Sequence, residues 1–154
     1  MTTIRHAIFP DDTASVLTIW QEFIARSPVN LDYQGNDAEF AAVPDKYAAP
    51  RGCVLLAERE SEIVGCIAYR RVNAEICEMK RLYVRAGARG SGLGHALVDR
   101  LIAEARLVGY REMRLDVMAK SASARRLYAV FGFVPAEPVS FNPVPGASFL
   151  GFRL

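Results

Sequence analysis

Apolar residues run along this chain in two periods, and the places where the period changes divide it into elements. Thr2 to Phe9 reads as a strand, closed by Pro10-Asp11-Asp12, where an aspartate can cap the helix that follows. Val16, Trp20, Phe23 and Ile24 then fall on one face of that helix. Ser27 to Pro50 is irregular, with Asn36-Asp37 able to start a short helix through Phe40. Cys53 to Ala57 and Ile63 to Tyr69 read as strands joined by a polar turn around Glu60-Ser61-Glu62, a hairpin. Ala74 to Val84 is a further strand. Leu93, Leu97, Leu101 and Ala105 stripe a helix from Gly92 to Val108, which Gly109 ends. Arg111 to Met118 reads as a strand and Ser121 to Phe131 as a helix. Two terminal strands, near Phe133 and from Ser148 to Leu154, flank a loop stiffened by Pro135, Pro138, Pro143 and Pro145. An antiparallel front half followed by a β-α-β crossover predicts a mixed α/β sheet in one domain over residues 1–154.

Composition narrows the class without naming it. A chain of 154 residues is long enough for a real core, and 51% hydrophobic residues suit a globular protein. A net charge of +2 with no run of Lys or Arg gives no reason to expect nucleic acid. No apolar run is long enough for a membrane, and Met1 to His6 begins a strand without an apolar signal core. Cys53, Cys66 and Cys77 are odd in number and form no C-x-x-C pair, so neither a metal site nor a disulfide framework is expected. Buried thiols in a reducing, cytoplasmic setting are the expectation.

The chemistry concentrates in one junction. The apolar strand ending Leu82-Tyr83-Val84 runs through Arg89-Gly90-Ser91-Gly92-Leu93-Gly94-His95 into the amphipathic helix. Three glycines at alternate positions leave backbone N–H groups open to a bulky anion. The helix N-terminus adds unpaired donors and the positive end of its dipole, and Arg89 adds a cation. A dinucleotide fingerprint would put its third glycine at His95, and a P-loop would need Lys-Ser/Thr after a glycine, so both fail. What remains is R-x-x-G-x-G, from Arg89, Gly92 and Gly94.

That motif resembles the pyrophosphate loop of the GCN5-related N-acetyltransferase (GNAT) superfamily. Downstream, Ala124 to Phe133 resembles the family's A-x-x-L-Y-x-x-x-G-F segment, with Leu127, Tyr128, Gly132 and Phe133 at the matching places. The resemblance implies a mostly antiparallel sheet of six to seven strands flanked by about four helices and splayed at the cofactor strand. It implies acetyl-coenzyme A (acetyl-CoA) as co-substrate, bound by Arg89, Gly90, Ser91, Gly92, Leu93, Gly94 and His95, with the thioester at the main chain of Leu82, Tyr83 and Val84.

Acetyl transfer to an amine asks for a base, a donor for the developing oxyanion and a proton near the leaving sulfur. Glu78 matches the place of the glutamate base in histone-modifying members, and burial among apolar neighbours would raise its pKa toward working pH. It can equally be a solvated glutamate paired with Lys80 or Arg81. Tyr128 matches the family's general acid; the alternative is a core aromatic. Ser121 stands where many relatives carry an asparagine that bonds the pantetheine arm. Lys120 and Arg125 can meet a 3′-phosphate or simply solvate their helix. His95 has no nucleophile or orienting acid, so it is not a catalytic histidine.

The acceptor is left open. Family members bind it through the region here spanning Ser27 to Pro50, with Asp32, Tyr33, Gln34 and Asp37, and through Val139 to Gly146, with Phe141 and Asn142. The second segment can rim a pocket or pack. Arg70 and Arg71 can meet a substrate carboxylate or lie solvated at a strand end. A small amine, a protein amine, or no acceptor at all in a non-catalytic acyl-coenzyme A sensor are the three readings. Homodimers occur in the family, and the sequence does not decide that point.

Overall fold

The computed structural model describes residues 1–27, 30–31, 36–41 and 43–154, apart from the side chains of Asp37, Glu39 and Pro44. Seven strands form one sheet: β1 (Thr2–His6), β2 (Cys53–Arg59), β3 (Glu62–Arg71), β4 (Ile76–Val84), β5 (Glu112–Val117), β6 (Val134–Pro135) and β7 (Ser148–Arg153). Their order is β1-β2-β3-β4-β5-β7-β6. Three long helices, α1 (Thr13–Ala25), α4 (Leu93–Val108) and α5 (Ala122–Phe131), accompany two short ones, α2 (Asn36–Ala41) and α3 (Val43–Lys46). None of the described helices is long and apolar enough to cross a membrane.

Strand alternation sorts the core onto the two faces of the sheet. Leu55, Ala57, Ile67, Tyr69, Cys77 and Met79 meet Leu97, Val98 and Leu101 of α4. Val54, Leu56, Cys66 and Ala68 meet Val16, Ile19 and Trp20 of α1 with Tyr47. On α4 the expected stripe is the buried face; on α1, Val16 and Trp20 are fully buried and Phe23 packs against them, while Ile24 lies outside the core cluster and Ile19 belongs to it. Gly109 closes α4 and Gly132 closes α5, both in the left-handed conformation.

Two local details depart from expectation. Asp12 precedes α1 but makes no side-chain cap. Its carboxylate instead accepts from Arg5 at 2.7 and 3.0 Å and from the Ile8 amide at 2.8 Å, because a guanidinium is the stronger partner. The β2–β3 turn is made by Glu60 and Ser61, both at positive φ, without the usual Asn or Gly.

The decisive feature lies in the middle of the sheet. Every neighbouring pair is antiparallel except β4 and β5, which run parallel. They pair only at Ile76–Glu112, Cys77–Met113 and Glu78–Arg114. Past Glu78 no register pair joins them, and the sheet opens toward the N-terminus of α4. On its other edge β4 carries a bulge: Cys66 faces Tyr83 and Ala68 faces Lys80, so one residue of β3 spans two of β4. Arg81 sits in that bulge at φ +62°.

Candidate active site

A cleft of about 280 Å³ occupies the opening between β4 and β5. One wall is Met79 to Tyr83 of β4, the other is Leu115, Asp116, Val117 and Met118, and Phe23, Leu31, Arg89, Ser121 and Tyr128 also line it. Five of the residues expected at the site thus line one cavity: Leu82, Tyr83, Arg89, Ser121 and Tyr128.

Beyond Arg89 the chain turns through Gly90 and Gly92, both at positive φ near 80°, into α4. Gly92 is the residue before the first helical turn and has no side chain to cap it. The first amide bonded within the helix is Ala96, to Gly92 O at 3.1 Å, which leaves the amides of Leu93, Gly94 and His95 as the unpaired donors of the N-terminus. A Cβ added at Gly90 or Gly92 would meet nothing within 4 Å, so this surface is open. Gly94 has an ordinary helical backbone, and a Cβ there would touch only Leu127 at 3.6 Å. Its lack of a side chain answers no demand of the fold. Open backbone donors at a helix N-terminus, beside a cationic arginine, fit a pyrophosphate. Arg89 is held in place by its Nε, which donates to Val84 O at 2.8 Å, and it lies over the Tyr83 ring. Ser91 donates to Ala88 O at 2.7 Å and braces the turn. His95 stacks on Phe131, with ring centres 4.5 Å apart.

Tyr128 is 6% exposed, and its hydroxyl has no hydrogen-bond partner among the described residues. It is positioned by α5 and by Phe133, its ring neighbour at 5.7 Å. Burial, with the charge of Asp116 adding to it, pushes the phenol above its ordinary value, so it stays protonated. Ser121 opens α5 and its hydroxyl makes no capping bond, which leaves it free to meet a ligand in the cleft.

Glu78 stands apart from this cavity. It is fully buried, Arg70 Nε donates to its Oε1 at 2.7 Å, and Ser140 Oγ donates to its Oε2 at 2.9 Å. Its partner is Arg70, neither Lys80 nor Arg81. Arg70 in turn donates to Val139 O, so it is a structural residue and no solvated strand end. Arg125 is also committed: its guanidinium donates to Met118 O, Val117 O, Gly146 O and Ser148 Oγ. These bonds fasten the 139–148 loop, and Asn142 adds a bond to Asp116 at 2.7 Å. Asp32, Tyr33 and Gln34, and the side chain of Asp37, lie outside the described residues.

Sequence reasoning missed Arg81. It is 4% exposed, lines the cleft, and none of its three guanidinium nitrogens has a hydrogen-bond partner among the described residues. The available signal was Lys80-Arg81, two adjacent cations between the apolar residues Met79 and Leu82.

The profile of the acetyltransferase (GNAT) family matches residues 17–133. An uncharacterized N-acetyltransferase of Schizosaccharomyces pombe is 36% identical over 147 residues, covering 94% of this chain and 90% of its own length. An acetyltransferase of the GNAT family from Staphylococcus aureus superimposes with a TM-score of 0.78 at 19% identity, over 99% of both chains. A putative acetyltransferase from Salmonella typhimurium, solved with its cofactor acetyl-CoA, superimposes with a TM-score of 0.73 at 22% identity, over 99% of this chain and 93% of that one.

Proposed function

This chain belongs to the GNAT family of acetyltransferases, and from that premise we propose that it moves an acetyl group from acetyl-CoA to a primary amine of a small molecule. The observation that carries the reading is the cleft where β4 leaves β5, running from the buried sheet toward the open N-terminus of α4. A channel of that size suits a slender cofactor arm and a small acceptor better than a protein surface.

Bound acetyl-CoA supplies an acetyl group already activated as a thioester. Arg89, the amides of Leu93, Gly94 and His95, and the open backbone at Gly90 and Gly92 hold the pyrophosphate. Ser91 acts by bracing that loop. Leu82, Tyr83 and Val84 offer backbone groups on the edge of β4 that β5 leaves unpaired, and an amide there stabilises negative charge on the thioester oxygen. Ser121 bonds the arm of the cofactor.

Tyr128 acts on the leaving sulfur as a hydrogen-bond donor. A phenol above its ordinary range is a weaker acid than a thiol of pKa about 8.5, so it donates a hydrogen bond as charge develops and keeps its proton. Both oxygens of Glu78 already accept hydrogen bonds, and it does not line the cleft. We therefore assign proton removal from the amine to water in the cleft, with Glu78 holding β3, β4 and the 139–148 loop in register.

Calorimetric titration with acetyl-CoA, followed by thiol release against an amine panel, tests this reading. Binding with turnover of small amines supports it. Absence of acetyl-CoA binding overturns it, and turnover confined to peptide amines overturns the small-molecule assignment.

A further inference from the structure

Arg81 is the one strongly charged group in the cleft whose position the fold makes expensive. Alternation from Cys77 and Met79, which face α4, would send Arg81 to that same side. The bulge at Arg81 and Leu82 adds a residue and turns Arg81 onto the α1 face instead, where its guanidinium carbon lies 5.3 Å from the Trp20 ring and 5.7 Å from Phe23. The backbone there is left-handed at φ +62°, a conformation that glycine or asparagine adopts more readily than arginine.

A guanidinium keeps its charge at any accessible pH and carries five N–H donors. Two aromatic faces attract the cation but accept none of those donors. A nearly buried guanidinium with no acceptor among the described residues is a group arranged for a ligand. Across the cleft stands Asp116, a carboxylate on the β5 wall, and Tyr128 also lines the cleft.

Resting on the N-acetyltransferase reading, we infer that the acceptor is a carboxylate-bearing amine whose carboxylate is bound by Arg81, the opposite charge at Asp116 drawing in its ammonium end. A fork of parallel N–H donors matches the two oxygens of a carboxylate. The cofactor's phosphates are not the ligand meant here, because their cradle lies past Arg89 at the head of α4, while Arg81 precedes Leu82 on the strand. Arg81 is a binding residue for the acceptor and takes no part in moving protons.

The test uses matched pairs of amines, each an amino acid and its carboxamide, with wild type, Arg81→Met and Arg81→Lys. Acetyl-CoA binding and melting temperature are read first for all three proteins. The expected result is wild-type preference for the carboxylated member, and a fall in that preference of about 100-fold in Arg81→Met, carried by KM. Arg81→Lys, which keeps the charge and loses the fork, falls between. Acetyl-CoA affinity stays unchanged throughout. Wild-type turnover of the carboxamide equal to that of the acid, turnover of no carboxylated amine, or equal losses on both members in both folded variants overturns the inference. If acetyl-CoA binds and only uncharged amines react, the inference falls and the acetyltransferase reading stands. If acetyl-CoA does not bind, the acetyltransferase reading itself has failed.

Discussion

Arg70 on β3 and Glu78 on β4 are register partners across the sheet, and the Arg70 Nε donates to Glu78 Oε1 at 2.7 Å, with the Glu78 side chain fully buried and that of Arg70 18% exposed. The glutamate expected as a candidate base is here ion-paired to Arg70.

Glu78→Gln keeps the shape and removes the charge that Arg70 faces. The variant should lose about 1–3 kcal/mol of stability, while kcat falls less than about tenfold and its pH profile keeps its form. Thermal melting and a pH–rate profile check this. A loss of a hundredfold at unchanged melting temperature, with the acidic limb of the profile displaced, would make Glu78 the base after all.

Tyr128→Phe removes a hydroxyl that no described residue holds, so the fold should keep its melting temperature. Turnover should fall by about 100-fold through loss of the hydrogen bond to the leaving sulfur. Because burial raises the phenol, Tyr128 stays protonated through the neutral range and contributes no alkaline limb to the wild-type rate profile below about pH 10. Steady-state kinetics of the variant decide the point: an unchanged kcat removes Tyr128 from the mechanism.

Gly94→Ala separates cofactor binding from folding more cleanly than any change at Gly92, where φ near +80° strains every side chain. An alanine in the first helical turn should raise stability by about 0.5–1 kcal/mol. On the proposed reading the Gly94 amide holds the pyrophosphate, and a methyl group beside that amide should lower acetyl-CoA affinity about tenfold, or ~1.4 kcal/mol. Calorimetry and melting on one preparation give both numbers, and an unchanged affinity would refute the cradle as drawn.

Burial pushes the thiols of Cys53, Cys66 and Cys77 up to about 12, from an ordinary value near 9.0. At pH 8 only about one part in ten thousand of each is thiolate, so a thiol reagent should react with the native protein only as it opens. The sign of the linkage follows: these groups favour the fold fully below pH 9, and that contribution is lost as pH rises from about 9 toward 12. Melting temperature measured from pH 8 to 12 should fall across that window. Rapid labelling of all three thiols at pH 8 in the folded protein would contradict the burial.

What the sequence disclosed was local. Leu93, Leu97 and Leu101 announce a helix face by their spacing, and Gly109 and Gly132 announce where helices stop. Arg89, Gly92 and Gly94 mark the candidate cradle because one short stretch at a strand-to-helix junction holds all of them. Partners set by register across strands stayed hidden: Arg70 and Glu78 are eight residues apart in the chain but directly opposed in the sheet. The same holds for Arg81, which a single inserted residue turns from one face to the other, and for Arg125, whose acceptors come from β5 and a distant loop.

The two halves of the sheet are joined at three residue pairs, all at one end of β4 and β5. The interruption of pairing beyond them leaves a stretch of β4 edge without a strand partner on the β5 side. The exposed edge of β4 presents peptide donors and acceptors at strand spacing, as the edge of any sheet does. A chain carrying amide groups can therefore add to it as a short extra strand, while a plain hydrocarbon of equal length leaves those polar groups unanswered. On the proposed reading the cofactor arm adds to β4 in this way, a molecule that is not a peptide taking a peptide's place.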